Sequence, residues 1–463
     1  MPQRLDFING DIPQLIRSIA IPVSVGMLFN TLYNVVDTWY AGLLSTTGIA
    51  ALTLSFPVFF GLFSIGHGIS TGSTALVANA LGRKDEQDAT NVFVQSLGFS
   101  ALLSIVCGGA GLLFIRPLLM VMSKDMATVD MAETYLTYMF VGAPFLIVIG
   151  AVNASLFARG DTRSYRNVLI AGFLLNIGLN PLFMFGVPAV GIPGMGVAGI
   201  ALATMVIQGG GMLYLFKRSA SLGCFKSVTR RHFLPNFSVL KTIIAQAFPA
   251  ALNMLLVAAG IFIINAFVAR AGNTAAVAAY GIAMRIEQIA LLPTIGLGTA
   301  MLTISGQNGG AGQFDRIRQA YGVSFRYGAV VLVLMLGAIV PFAPFWISLF
   351  DESVAVVRIG TMYLRIEMIT FFAYFIVFLS ISMLQGLKRP MVAVWVGLYR
   401  QVFAPLALFF VFISVLHFSV QSIWWGICGI TWTAAIFMLI YSSHFLRNSV
   451  GFSKEQWGLN GLL

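Results

Sequence analysis

The sequence predicts an all-α polytopic membrane protein: twelve transmembrane helices in two six-helix lobes related by a pseudo-two-fold axis. Three observations predict it. Of 463 residues, 58% are hydrophobic and only 9% charged, against about 25% charged in an ordinary soluble domain. Apolar runs recur along the whole chain, many at or beyond the roughly 20 residues a helix needs to cross a bilayer. The chain also repeats itself at an offset of about 228 residues.

In order, the runs are Ile19–Gly42, Ile49–Ala80, Val92–Phe114, Met131–Phe157, Val168–Phe185, Gly196–Phe216, Thr242–Val268, Ala275–Ser305, Tyr321–Leu349, Thr361–Leu384, Met391–Leu416 and Ile423–Phe445. Each is read as one span. Met1 to Ile16 is mixed in character and lacks the pattern of a signal peptide, so the first span is taken as retained. An even number of spans returns the chain to its starting side. Basic residues choose that side: Arg83-Lys84, Arg159 with Arg163 and Arg166, Lys217-Arg218 through Lys241, Arg316 with Arg318 and Arg326, and Lys388-Arg389 with Arg400 fall in the even connections. Arg4, Arg17, Arg447 and Lys454 flank the ends, so both termini are expected in the cytoplasm. The same rule accounts for the net charge of +11 without a nucleic-acid partner. Odd connections such as Leu43–Thr47 and Gly186–Gly191 are short, too small for a catalytic domain. Cys107, Cys224 and Cys428 lie far apart and suggest neither a disulfide framework nor a metal site.

The repeat is carried by Ser155–Arg163 against Ser382–Arg389, Gly66-His67-Gly68 against Gly296-Leu297-Gly298, Ala78–Gly82 against Asn308–Gly312, Tyr135-Leu136 against Tyr363-Leu364, and Pro22 against Pro249. It divides the chain into an N-terminal lobe (1–216), a cytoplasmic linker (217–241), a C-terminal lobe (242–446) and a tail (447–463). Parallel repeats of six spans place a cavity between the halves and suit alternating access, which points to a secondary transporter.

The chemistry centres on Asp37. A carboxylate amid Phe, Leu and Val at membrane depth is costly and marks an ion path or a binding site. Asn30, Tyr33 and Asp37 follow i, i+3, i+7 spacing and share a helical face, with Asn34 at its border. Asn176 and Asn180 share a face of the fifth span, directly before Pro181. Tyr135 and Asn153 stand five whole turns apart at about 3.6 residues per turn in the fourth span, and Thr204 is the matching candidate in the sixth. Low dielectric disfavours the charged form of a carboxyl, so Asp37 can take up and release a proton. With amide carbonyls beside it, it would equally suit Na⁺, and composition does not choose between them. Pro22 removes the donor for the Ser18 carbonyl and is read as a hinge in the first span.

Glu287 with Arg285, and Glu367 with Arg365, are the remaining deep charges. Two residues apart, the members of each couple do not share a face, and structural ion pairs between spans are the favoured reading. Glu133 and Arg116 sit near span ends and can snorkel. His67, without a second suitably spaced ligand, reads as a packed polar group. Among Phe56, Phe59, Phe60 and Phe63, Phe56 is the candidate to meet an aromatic cation.

The run from Ala20-Ile21-Pro22 to Asp37-Thr38-Trp39-Tyr40-Ala41-Gly42, the Gly82–Asp85 and Gly160–Thr162 loops, the Asn176–Pro181 segment and the duplicated plan resemble the multidrug and toxic compound extrusion (MATE) family. Within it the chain resembles the DinF-like branch, since Ala247–Val268 of the seventh span holds no acid. The resemblance implies export of cationic, lipophilic compounds in exchange for H⁺ or Na⁺, by a monomer in the inner membrane of a prokaryote, with no cofactor beyond the coupling ion. It implies an N-lobe site of Asp37, Asn176, Asn180, Asn153, Tyr33 and Asn30. Related members carry an aspartate where Asn180 stands, and the missing carboxylate tilts the expectation toward H⁺. A flippase for lipid-linked substrates is the alternative, disfavoured because no Arg or Lys lies deep in the first-half spans. A membrane-embedded enzyme is the third class, disfavoured by the lack of HExxH, paired-Asp or Ser-His patterns at depth.

Overall fold

The computed structural model describes residues 5–187, 191 and 193–449. Arg4, Lys454, Pro188–Val190 and the tail beyond 449 lie outside the described residues, as do the side chains of Arg230 and Arg231. Among the described residues ten helices are long and apolar enough to cross a membrane, and two bent pairs bring the spans to twelve.

α1 (Ile12–Leu44), α2 (Thr46–Gly82) and α3 (Glu86–Met122) follow one another through very short connections. Ser45 caps α2 by accepting the Gly48 N–H at 3.0 Å, and Asp85 caps α3 through the Asp88 N–H at 2.9 Å. Each cap satisfies a donor that a helix start leaves open. The fourth span is a pair, α4 (Met126–Val141) and α5 (Ala143–Ala158), bent by 44°. Pro144 falls in the first turn of α5, where its missing N–H is harmless to α5 but cannot extend α4. α6 (Arg163–Phe185) and α7 (Val197–Ser221) close the first repeat. A 3₁₀ turn at Arg230–Phe233 leads into α8 (Phe237–Ala271). The eighth span is again a pair, α9 (Thr274–Ala290) and α10 (Leu292–Ala311), bent by 44° ahead of Pro293.

The ninth run was expected to span Tyr321–Leu349. Instead α11 (Phe314–Ile339) stops before Pro341, and α12 (Ala343–Ser348) is a separate short helix. α13 (Val354–Gly386) is unbroken. The eleventh span runs as α14 (Met391–Leu398), a π-helical turn (Tyr399–Phe403), α15 (Ala404–Phe409) and a second π-helical turn (Phe410–Val415). α16 (Gln421–Ser449) is the twelfth.

The repeat is written into the backbone. Left-handed residues occur at Lys84 (φ 63) and Gly312 (φ 74), and at Gly160 (φ 82) and Lys388 (φ 59), each pair about 228 residues apart. The two bends break that symmetry, because the repeat partners of the fourth and eighth spans, α13 and α2, are continuous.

Two compact units result: Val25–Ala251, and Leu252 onward together with the chain through Ser24. The division therefore does not fall at the 217–241 stretch. The opening turns of α8 belong with the first-repeat helices, and those of α1 with the second. Glycine makes this possible. A Cβ on Gly68 would lie 2.6 Å from the Ala247 carbonyl oxygen, and one on Gly296 would lie 2.4 Å from that of Ala20, so each helix pair meets backbone to backbone.

Each exchanged segment is pinned by side chains of the unit it joins. Buried Gln95 donates to the His232 and Leu234 carbonyls at 2.8 Å and accepts the Asn236 N–H at 3.0 Å. In the other unit Arg316 donates to the Gly10 carbonyl at 2.6 Å, and Asn308 to that of Phe7 at 3.1 Å. Asn9 bonds Asp6 there through its backbone N–H and its side-chain amide, which together hold the Asp6 carboxyl below the usual range. Pro22 and Pro249 stand just before the points where α1 and α8 pass from one unit to the other.

Candidate functional site

Within the Val25–Ala251 unit, α1 approaches α6 at Gly26, whose Cβ would stand 3.1 Å from Leu169 and 3.3 Å from the Arg166 Cα. Three turns on, this closeness sets Asp37 against the face of α6 that bears Asn176 and Asn180 at i, i+4 spacing. Asp37 is only 7% exposed, and both asparagines are fully buried. Each asparagine donates its amide to Asp37 Oδ1 at 2.8 Å, and Asn180 also donates to Asn176 Oδ1 at 3.2 Å. Among the described residues Oδ2 has no hydrogen-bond partner, and no basic nitrogen lies within 4.0 Å of the carboxylate. Asn180 Oδ1 is likewise buried without a partner.

Tyr33, one turn before Asp37, donates to Thr204 Oγ1 on α7 at 2.9 Å. Asn30 is half-buried on the same stripe, whereas the exposed Asn34 spends its amide on the Asn30 carbonyl at 3.0 Å. Tyr135 and Asn153 are both buried, but the expectation that they share one helical face fails. The 44° bend separates Tyr135 on α4 from Asn153 on α5, so five turns of continuous helix do not exist between them. Asn153 Oδ1 is sealed without a partner. Phe56 is 59% exposed and packs on Phe60 with ring centroids 5.7 Å apart. His67 on α2 keeps an accessible edge but is packed as expected of a polar group, with Thr71 Oγ1 at 3.5 Å and Phe63 stacked on its ring. Among the described residues no group of three or more His, Cys, Asp or Glu side chains could hold a metal ion.

One contact that sequence reasoning missed explains Pro181. Lacking an N–H, Pro181 leaves the Ile177 carbonyl without its helical donor. The Tyr40 hydroxyl supplies one at 2.9 Å, tying α1 to α6 one turn beyond Asp37. Tyr40→Phe is expected to destabilise the protein by about 1 kcal/mol, read as a lower unfolding temperature in detergent. Adding Pro181→Ala should restore part of the loss, because the new N–H can serve Ile177. A double variant no better than the single one would defeat this account.

The second unit corrects the reading of the remaining deep charges. Glu287 and Glu367 are buried while Arg285 and Arg365 are exposed, so the faces divide as expected. Among the described residues the expected structural ion pairs do not form: the carboxylates take hydroxyls instead, Tyr363 donating to Glu287 at 2.9 Å and Tyr374 to Glu367 at 3.1 Å. Arg400, assigned above to a cytoplasmic connection, lies inside the eleventh span on the Tyr399–Phe403 turn. Its signal was present in the sequence, since the apolar run Met391–Leu416 encloses it. Arg116 at the span end meets Glu133, and Asp130 at 3.0 Å.

Twelve membrane-crossing helices built from a six-span repeat, with a carboxylate held among amides in one unit, define a polytopic membrane protein of the transporter class. Residues 22–182 and 249–410 each match MatE, once per repeat, and the chain belongs to this multidrug and toxic compound extrusion family, one of transporters rather than enzymes. It is 28% identical to the probable multidrug resistance protein YoeA of Bacillus subtilis, over 78% of each chain. It is 26% identical to an FAD transporter of Shewanella oneidensis, over 88% of this chain and 90% of that one. Among solved structures, a MOP superfamily transporter from Pyrococcus furiosus superposes with a TM-score of 0.88 at 24% identity, covering 96% of this chain and 98% of that one.

Proposed function

We propose that the chain is a secondary active multidrug efflux antiporter that exports cationic, lipophilic compounds in exchange for H⁺, with Na⁺ the second choice, by alternating access. The observation that carries this reading is the state of Asp37: buried, bonded through one oxygen to two amides, with no basic partner within 4.0 Å. A carboxyl so held binds either a proton or a cationic guest, since both seek the same oxygen. Asn176, Asn180, Tyr33 and Thr204 shape its surroundings, with Asn30, Tyr135, Asn153 and Phe56 as further substrate contacts. Relatives named as multidrug export proteins, such as MepA of Staphylococcus aureus at 25% identity, support the substrate class. Short outer connections and basic inner ones support cytoplasmic termini in a prokaryotic inner membrane.

The test is transport in vesicles. Native protein is reconstituted, a proton or a sodium gradient is imposed separately, and export of a fluorescent organic cation is followed. Export driven by neither gradient defeats antiport; export driven by sodium alone reverses the choice of ion. Pro22 acts in this scheme as the hinge of α1. Pro22→Ala restores the donor for Ser18 and removes the weak point in α1, so turnover should fall severalfold at unchanged protein level, and unaltered transport would count against a hinge.

A further inference from the structure

Arg400 is a deep charge that the proposed cycle leaves without a task. It is half-buried in the eleventh span, and its Nε is sealed without a hydrogen-bond partner. Among the described residues no carboxylate oxygen lies within 4.0 Å of its guanidinium. The Tyr374 ring lies under it, 5.0 Å from the guanidinium carbon. A ring face satisfies the face of a guanidinium but none of its five N–H donors. A cation at membrane depth that lacks a paired acid marks a site.

The surroundings fit one. Arg400 and Gln401 sit on a π-helical turn, an irregularity that recurs at functional positions, and with Tyr374 and Thr431 they line a cavity walled by Ile264 and Phe409. Its polar rim offers N–H and O–H donors, and its walls are apolar. It is small, with room for one polar group rather than a whole drug-sized molecule. Gln401 reaches its place because α8 carries Gly260 opposite, where a Cβ would strike the Gln401 Oε1 at 2.1 Å. Tyr374 links Arg400 to Glu367, its ring under the guanidinium and its hydroxyl donating to the carboxylate at 3.1 Å, while Glu287 takes the Tyr363 hydroxyl.

We propose that Arg400, with Gln401 and Thr431, forms an oxyanion site in this unit that takes the carboxylate or phosphate head of an amphiphile into the small cavity, the apolar part remaining outside it. The site is independent of Asp37, and its occupant carries the charge opposite to that of the guest assigned there. Planar guanidinium donors match carboxylate and phosphate geometry. Glu287 and Glu367 compete for the same positive charge, so a neutral Glu367 strengthens the site.

Titration calorimetry of the full chain in a non-ionic detergent tests this, with decanoate as probe and decyltrimethylammonium as the matched cation. Decanoate should bind the native protein about tenfold or more tighter than it binds Arg400→Gln, while binding of the cation stays the same in both. Glu367→Gln leaves the guanidinium intact and should tighten decanoate binding by about threefold, which keeps a readout should Arg400→Gln fail to fold. Phosphatidylglycerol added to the native complex separates the sources. Displacement of decanoate assigns the site to a lipid headgroup, and retention assigns it to a soluble amphiphile. Equal decanoate affinity in native protein and Arg400→Gln, or a Glu367→Gln variant that binds decanoate no better, overturns the proposal and leaves Arg400 a distant counter-ion of the two glutamates.

Discussion

Asp37→Asn is expected to abolish gradient-driven export, by about tenfold or more, the loss that follows when ~1.4 kcal/mol or more of coupling disappears. The substitution preserves shape and removes the ability to ionise. Asn176 and Asn180 both donate to Oδ1 at 2.8 Å, and an amide oxygen in that position still accepts from both. The variant should therefore reach the membrane at the native level and unfold at a similar temperature. What it loses is the choice between two occupants, because a side chain that never becomes an anion neither takes up a coupling proton nor attracts a cationic guest. The measurement is export of a fluorescent cation from reconstituted vesicles under an imposed proton gradient, normalised to protein content. Undiminished export would remove Asp37 from the mechanism, whatever its burial.

Which features were legible in the sequence follows from the range of the physics behind them. Hydropathy is local, so the twelve spans could be placed from runs of apolar residues, and i, i+4 spacing was enough to put Asn176 and Asn180 on one face. Their meeting with Asp37 at 2.8 Å then needed only that α1 lie beside α6, which Gly26 permits. The bends at Gly142 and Leu291 were hidden because a proline in the first turn of a helix looks the same in sequence as one inside a longer helix. That ambiguity misplaced Tyr135 relative to Asn153. Arg400 was lost to charge counting, which assigns each basic residue to the nearest connection and ignores a cation that a π-helical turn carries into the span. The exchange of α1 and α8 between units was invisible for another reason. It depends on tertiary contacts of Gly68 and Gly296, and a glycine in a helical pattern announces neither a neighbour nor its absence.

Those glycines give the second large expected effect, because the same change should act with opposite sign at different places. Gly296→Ala puts a methyl 2.4 Å from the Ala20 carbonyl oxygen and 2.2 Å from Ser24 Oγ. The serine hydroxyl can rotate away, but the backbone carbonyl cannot, so the opening turns of α1 must shift off α10. Overpacking of this kind costs about 1–3 kcal/mol, and Gly68→Ala against Ala247 and Ala251 should cost a similar amount. Gly98 in α3 has nothing within 4 Å of its would-be Cβ. There alanine removes only the conformational freedom of glycine and should stabilise the helix by about 0.5–1 kcal/mol. Unfolding temperatures of the three purified variants in one detergent decide the matter: a fall for the first two with a rise or no change for the third locates the backbone crossings. Three equal shifts would mean that the close approach of α1 and α8 to their glycines contributes nothing to the stability of either unit.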